Sequence, residues 1–325
     1  MKYNLTLLFL LMFSLTLFSQ SDSTKIAFVA YWSVGDSYDY KITKVRKVWQ
    51  KEILTKQDST QYIANFKVID STENDYTIQW TFKNEVVRDI QNQLEWVTED
   101  REMINSILSK SDITEVLYKT TEFGEFVEIL NWQELSETLA QLLDEIMKVY
   151  QKRIPDKIDE FQNAMTPFLD VFSSKEGIEE LILPELRYFH FPLGYEFDIT
   201  EIIEYDQEIP DLFGGHAVKG KGVMSFKVDY DFGLCTIQEE VVIDENDAKN
   251  VIWNFLNQVN AEEEVKQEIE NTVLDVRDFN YYEYYFDYGL PHVIYGGRNF
   301  LVSIDDVDFQ ETEELYIELI YEDDE

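Results

Sequence analysis

Apolar side chains recur at every second position through much of this chain. Tyr38, Tyr40 and Ile42 alternate with polar neighbours, as do Tyr62, Ala64, Phe66 and Val68, and then Tyr76, Ile78, Trp80 and Phe82. A two-residue period puts the apolar side chains of a strand on one face. Where the alternation is clean, that face is buried and the other is wet, as in antiparallel sheet. The polar segment Asp70-Ser71-Thr72-Glu73-Asn74-Asp75 between the last two runs has the length and composition of a hairpin turn. Beyond a less regular stretch from Asp89 to Lys110, Val116 to Thr120 and Phe126 to Leu130 predict a further hairpin about Glu122-Phe123-Gly124-Glu125.

The period then lengthens to that of a helix. Asn131 with Glu134 has capping-box spacing, and Leu135, Leu139, Leu142, Leu143, Ile146, Val149 and Tyr150 follow on one helical face. Pro155 separates this helix from a second, carrying Ile158, Phe161, Met165, Phe168, Leu169 and Phe172, which Pro167 kinks or breaks. A third, short helix follows the Ser173/Glu176 spacing and ends near Pro184. From Leu186 the two-residue period returns, through Tyr195 to Tyr205, Gly222 to Tyr230 and Leu234 to Ile243. Asp244 and Asp247 then cap a helix bearing Ala248, Val251, Ile252, Phe255, Leu256 and Val259. Strands near Val276 to Asp287, His292 to Ile304 and Glu314 to Tyr321 close the chain.

This order predicts an α+β fold: twisted antiparallel β-sheet with a helical insertion near residues 131–183 and a further helix near 244–259. It is not the strict alternation of a βαβ sheet. The pattern fits a single composite domain over 21–325 and equally two lobes, 21–130 and 186–325, around the insertion.

Residues 1–20 follow another rule. Lys2 precedes an apolar and hydroxyl run from Leu5 to Phe18 that ends at Ser19-Gln20, the layout of a secretory signal peptide. The run is shorter than the roughly 20 residues that span a bilayer core. No cysteine lies nearby to take a lipid. The expectation is an exported chain beginning near Ser21, periplasmic or secreted, soluble, not lipid-anchored and with no membrane span after cleavage.

Composition narrows the partners. Hydrophobic residues at 45% and aromatics at 15% exclude a disordered chain, and the lone Cys235 cannot form an intramolecular disulfide, so the core alone must hold the fold. The formal charge is −38, one unit more negative once Lys2 is removed. Such a field repels nucleic acid and anionic membranes and favours cations, with divalent ions as adventitious surface partners. From Asp305 to Glu325 there are eleven carboxylates and no Lys or Arg.

Few residues of the chain have the spacing that chemistry needs. His190, His216 and His292 are scattered and lie beside apolar or small residues, without the spacing of a zinc site. There is no G-x-S-x-G nucleophile elbow, no calcium loop with its central glycine and no phosphate-binding G-K-[ST]. Cys235, inside Leu234-Cys235-Thr236-Ile237, fits a small buried hydrophobe. Among 65 acidic residues a carboxylate pair carries no signal. No catalytic residue, metal ligand or cofactor is assigned.

One anomaly stands out. Phe279, Tyr281, Tyr282, Tyr284, Tyr285, Phe286 and Tyr288 crowd ten residues. In one continuous strand Tyr282, Tyr284, Phe286 and Tyr288 share a face, which is either core under helices or the ligand-binding wall of a cleft for an apolar or sugar-like ligand or a protein partner. The leading functional expectation is a non-catalytic exported binding protein using this aromatic surface. The alternative is a secreted hydrolase working through paired carboxylates.

Two segments, Gly124-Glu125-Phe126-Val127-Glu128-Ile129-Leu130-Asn131-Trp132 and Ile209-Pro210-Asp211-Leu212-Phe213-Gly214-Gly215, resemble stretches of exported bacterial proteins of unknown function. The resemblance implies secretion and an α+β fold and transfers no catalytic residue.

Overall fold

A computed structural model describes residues 24–82, 115–153, 171–181, 184–209, 217–258, 272–304 and 307–321, with isolated positions between 155 and 169 and at 269. The leader, the stretch from Asp89 to Lys110, His216 and most of the second resembling segment lie outside the described residues. Short strand β1 (Lys25–Ala27) precedes the long hairpin β2 (Ser37–Gln50) and β3 (Ile53–Ser71). Then come β4 (Asp75–Phe82), β5 (Glu115–Thr121) and β6 (Phe126–Ile129), followed by helices α1 (Trp132–Arg153), α2 (Lys175–Leu181) and α3 (Pro184–His190). After these come β7 (Glu196–Asp198), β8 (Ile203–Ile209), β9 (Val218–Asp229), β10 (Leu234–Ile243), helix α4 (Glu245–Gln258), β11 (Val273–Tyr285), β12 (Leu290–Ile304) and β13 (Val307–Leu319).

β1 pairs with β7, and the other strands form one antiparallel sheet of eleven in the order β6-β5-β4-β3-β2-β13-β12-β11-β10-β9-β8. Two up-and-down arms, β2 to β6 and β8 to β13, meet where β13 lies against β2, with Ile317 opposite Ile42. The α+β expectation, with its large antiparallel sheet, is what the structure shows.

The alternating residues identified in sequence do bury one face: Tyr40, Ile42, Ala64, Phe66, Val68, Ile78 and Trp80 are all in the core. The strands run further than that alternation. β3 begins at Ile53 because backbone pairing with β2 continues past the buried patch through a two-residue turn at Lys51 and Glu52, both at positive φ.

Helix α1 buries Leu135, Leu139, Leu142, Leu143 and Ile146, as its period requires. Its start differs from a capping box. The Asn131 side chain instead accepts from Leu117 N at 3.0 Å and donates to Glu115 O, tying the helix to the backbone of β5. Asp244 does cap α4, its Oδ1 accepting from Asn246 N and Asp247 N, both at 3.0 Å.

The main correction concerns Pro184. The third helix, α2, does end at Leu181, just short of it, but Pro184 also opens α3, where its missing N–H costs nothing, and the residues from Leu186 to His190 are helical rather than extended. Strand pairing resumes only with β7 and β8.

Helix α3 plugs the sheet. Phe189 enters an aromatic cluster, edge-on to Tyr40 (5.1 Å) and Trp80 (5.3 Å) and stacked on Phe66 (5.2 Å). A smaller core of Val218, Val241, Ile243, Leu274 and Val276 lies under α4.

Candidate functional site

Between these two cores the covered face of the sheet opens into a cavity of about 450 Å³, walled by α3 and Phe191 on one side and by β2, β3, β8 and β10 to β13 on the other. Its floor is set by strand register. One row across the sheet reads Val241, Asp278, Arg298, Glu313, Arg46, Asp58, each residue directly opposite the next on six consecutive strands. From Asp278 on, the charges alternate in sign, which makes every directly opposed pair attractive.

Arg298 grips Asp278 with two bonds, Nε to Oδ1 and Nη2 to Oδ2, both 2.7 Å, and this bond holds the guanidinium well above its usual range. Arg46 Nε reaches Glu311 at 2.5 Å. Solvent reaches Glu313 through the cavity, but protein crowds it elsewhere, and that burial, with Glu311 alongside, pushes its carboxyl above the usual range.

The adjacent row reads Glu239, Asn280, Gly296, Leu315, Lys44, Thr60. Buried Glu239 accepts from the Tyr205 hydroxyl and from Asn280 Nδ2 at 2.6 Å. That second contact fixes the amide, since its oxygen would repel the carboxylate. Asn280 Oδ1 is therefore the atom left buried without a partner at the cavity wall.

Lys44 Nζ pairs at 2.6 Å with Glu185 Oε1 of α3, which also accepts from Tyr62; Glu185 is only 1% exposed, and its Oε2 has no partner. Gly296 is small for a reason. A Cβ there would stand 2.6 Å from the Tyr188 ring, so the glycine lets that ring lie down on the sheet. Burial, then Asp278, pushes the Tyr188 hydroxyl up to about 12, and burial lowers Arg187 beside it.

Of the aromatic run, Tyr282 is 2% exposed, lines the cavity and stacks on Phe191 at 4.5 Å and 13°. Tyr284, 0% exposed, lies in the core on the same face, and its hydroxyl donates to Phe189 O at 2.6 Å and Tyr188 O at 3.0 Å, clamping the end of α3. Phe286 is half-buried against the same core, whereas Tyr288 is not part of it. β11 ends at Tyr285, and Phe286 to Gly289 form a turn, with Phe286 edge-on to Tyr230 and Tyr288 63% exposed at the tip.

His190 is neither ligand nor base. Its Nδ1–H donates to Gly124 O at 2.7 Å, which leaves Nε2 to accept from the Tyr118 hydroxyl at 2.9 Å, and burial depresses the ring to about 4. Burial pushes the Cys235 thiol up to about 12, so it stays protonated and unreactive. Among the described residues no three His, Cys, Asp or Glu side chains are grouped as metal ligands, and no helix is long and apolar enough to cross a membrane.

Asp278, Asn280, Arg298, Glu239, Arg187 and Tyr188 were not singled out from sequence. One signal was present: the inward positions of β11 run Leu274, Val276, Asp278, Asn280, Tyr282, Tyr284, with two polar residues in the middle of an apolar phase.

No family model and no curated protein matches this chain. A solved structure described as "lipid-protein interactions in lipovitellin" aligns with a TM-score of 0.33 at 10% identity, covering 88% of this chain; the chain spans about a quarter (25%) of that one.

Proposed function

We propose that this chain is an exported, non-catalytic binding protein that holds a small, partly apolar ligand in the cavity beneath α3. The observation carrying this reading is a cavity of about 450 Å³ with aromatic walls and a charge-paired floor. That volume falls within the roughly 300–1,000 Å³ of small-molecule sites. Tyr188, Phe191 and Tyr282 supply apolar surface, and the paired charges supply orientation.

A hydrolase needs one carboxyl kept protonated and a second able to attack or to take a proton. Glu313 has the raised carboxyl, but Asp278 is clamped by Arg298 and Glu239 already accepts from Tyr205 and Asn280, so neither is free to act as its partner, which favours binding over acid/base work. The leader in residues 1–20 supports export and a mature chain free of membranes.

The test is mass spectrometry of the exported protein. Under native conditions a bound mass is expected that denaturation releases, with an intact chain beginning near Ser21. Leu315→Phe, which fills part of the cavity, should abolish the bound mass while the fold survives at a cost of about 1–3 kcal/mol. A bound mass that persists in Leu315→Phe would move the ligand elsewhere, and retention of residues 1–20 or an added lipid would refute free export.

A further inference from the structure

The cavity floor is charged, yet its charges answer one another. Asp278 is held by Arg298 and Glu311 by Arg46, while Glu313 stands directly opposite both arginines, one on each neighbouring strand. A charged guest would find no counter-charge free in this row. To pair with one of these groups it would have to displace a partner already in place, and a guest of either sign meets its own sign one strand away. The floor selects against net charge.

It also selects against a bare hydrocarbon. The side chains of Arg298 and Arg46 are 48% and 40% exposed, and Glu313 is open to solvent through the cavity. Arg298 commits two N–H donors to Asp278 and Arg46 commits one to Glu311, and a guanidinium has more to give. A hydrocarbon laid over these groups would strip their water and return nothing. The three side chains stand on adjacent strands, β12, β13 and β2, so donor, acceptor and donor follow one another at the usual ~4.8 Å strand spacing. A hydroxyl both donates and accepts, so a molecule with several hydroxyls along one edge serves the whole row in place of water.

The opposite wall is apolar. Phe191 gives one face to Tyr282 and is itself only half-buried, and Tyr188, laid down over Gly296, is half-buried as well. Both rings line the cavity and offer it apolar surface.

We propose that the ligand is a small neutral carbohydrate, its hydroxyl edge spanning Arg298, Glu313 and Arg46 and its C–H face laid against Phe191 and Tyr188. A sugar ring carries both surfaces in one rigid body. This rests on the cavity being a binding site and names the class of molecule it takes.

Calorimetry on the mature chain tests it with a panel of neutral sugars: glucose, galactose, mannose, N-acetylglucosamine, maltose, cellobiose and lactose. At least one should bind, one per chain. Charged relatives of the same ring, glucosamine and glucuronate, and the apolar probe 1-octanol should bind about tenfold more weakly or not at all. Glu313→Leu removes the acceptor in the middle of the row and should weaken the best sugar by about tenfold or more. Phe191→Leu keeps apolar bulk but loses the ring face, and should weaken it by about threefold or more. Glu137→Gln, an exposed charge on α1, should leave the affinity unchanged.

Binding of a charged relative or of octanol as tight as that of the best sugar overturns the carbohydrate, as does sugar binding indifferent to both Glu313→Leu and Phe191→Leu. Silence across the panel overturns it too. Native mass spectrometry then decides the broader reading: a bound mass that Leu315→Phe abolishes keeps the cavity as a binding site, and no bound mass removes both. Thermal melts of each variant separate a lost site from a lost fold.

Discussion

The faces of β2 to β6 and of β10 to β13 belong to one sheet and lie under one short helix, yet they are filled in opposite ways. On the first, Tyr40, Phe66 and Trp80 close around Phe189, and the polar intruder, His190, has both ring nitrogens satisfied. On the second, the same inward phase carries Asp278, Asn280, Arg298 and Glu313, and space stays open above them. An apolar cap over ion pairs would strip their water without replacing it, so α3 turns Phe189 to the dry side and leaves Arg187 and Tyr188 over the charges. A sheet face thus packs shut where its inward residues are aromatic and stays hollow where they are charged.

The sharpest way to break this contrast is Phe189→Ala. Loss of a fully buried ring at the centre of the cluster should cost about 3–5 kcal/mol in denaturant unfolding. A loss under about 1 kcal/mol would mean the dry half is not the structural anchor.

Acid probes the same half. The His190 ring is depressed to about 4 in the fold against about 6.5 when unfolded, so its neutral form stabilises the protein above pH 6.5. That contribution is lost as pH falls toward 4, and it amounts to on the order of 3 kcal/mol. Unfolding free energies at pH 7 and pH 4, compared between the parent and His190→Gln, isolate this histidine from the carboxylates. Equal acid sensitivity in both would show that the ring does not control it.

The wet half should respond least. Arg298→Met leaves buried Asp278 without its clamp, but the arginine is half-exposed and water replaces part of the contact, giving about 1–2 kcal/mol. A cost matching that of Phe189→Ala would erase the energetic distinction between the halves.

The dry half was legible in the sequence and the wet half was not, for a physical reason. Tyr62 to Val68 and Tyr76 to Phe82 reveal themselves because burial repeats along a single strand, and α1 because it repeats along a single helix. The charge row exists only across strands, and its register depends on turns that lack the usual residues. Lys51 and Glu52 adopt positive φ without glycine or asparagine, and a bulge between Glu283 and Tyr284 shifts β11 against β12. Helix α3 escaped because seven residues rich in aromatics look the same at period two as at period 3.6. The aromatic run is visible in the sequence, but the strand that carries it gives way to a turn after Tyr285, which puts Tyr288 in solvent.

The pairing of β2 with β13 has a consequence for how the chain reaches this shape. The second strand of the fold waits for the last one, so the contacts at the middle of the sheet span some of the longest sequence separations in the molecule. Topologies of this kind fold slowly, because loop-closure entropy is lost before the pairing that offsets it. Until β13 has been made, β2 presents an unpatched row of amides and carbonyls, the edge that invites a neighbouring chain to add itself. Its lysines and arginine, Lys41, Lys44, Arg46 and Lys47, later find Glu318, Glu185, Glu311 and Glu314. In the nascent chain they act as gatekeepers, keeping like edges apart by charge.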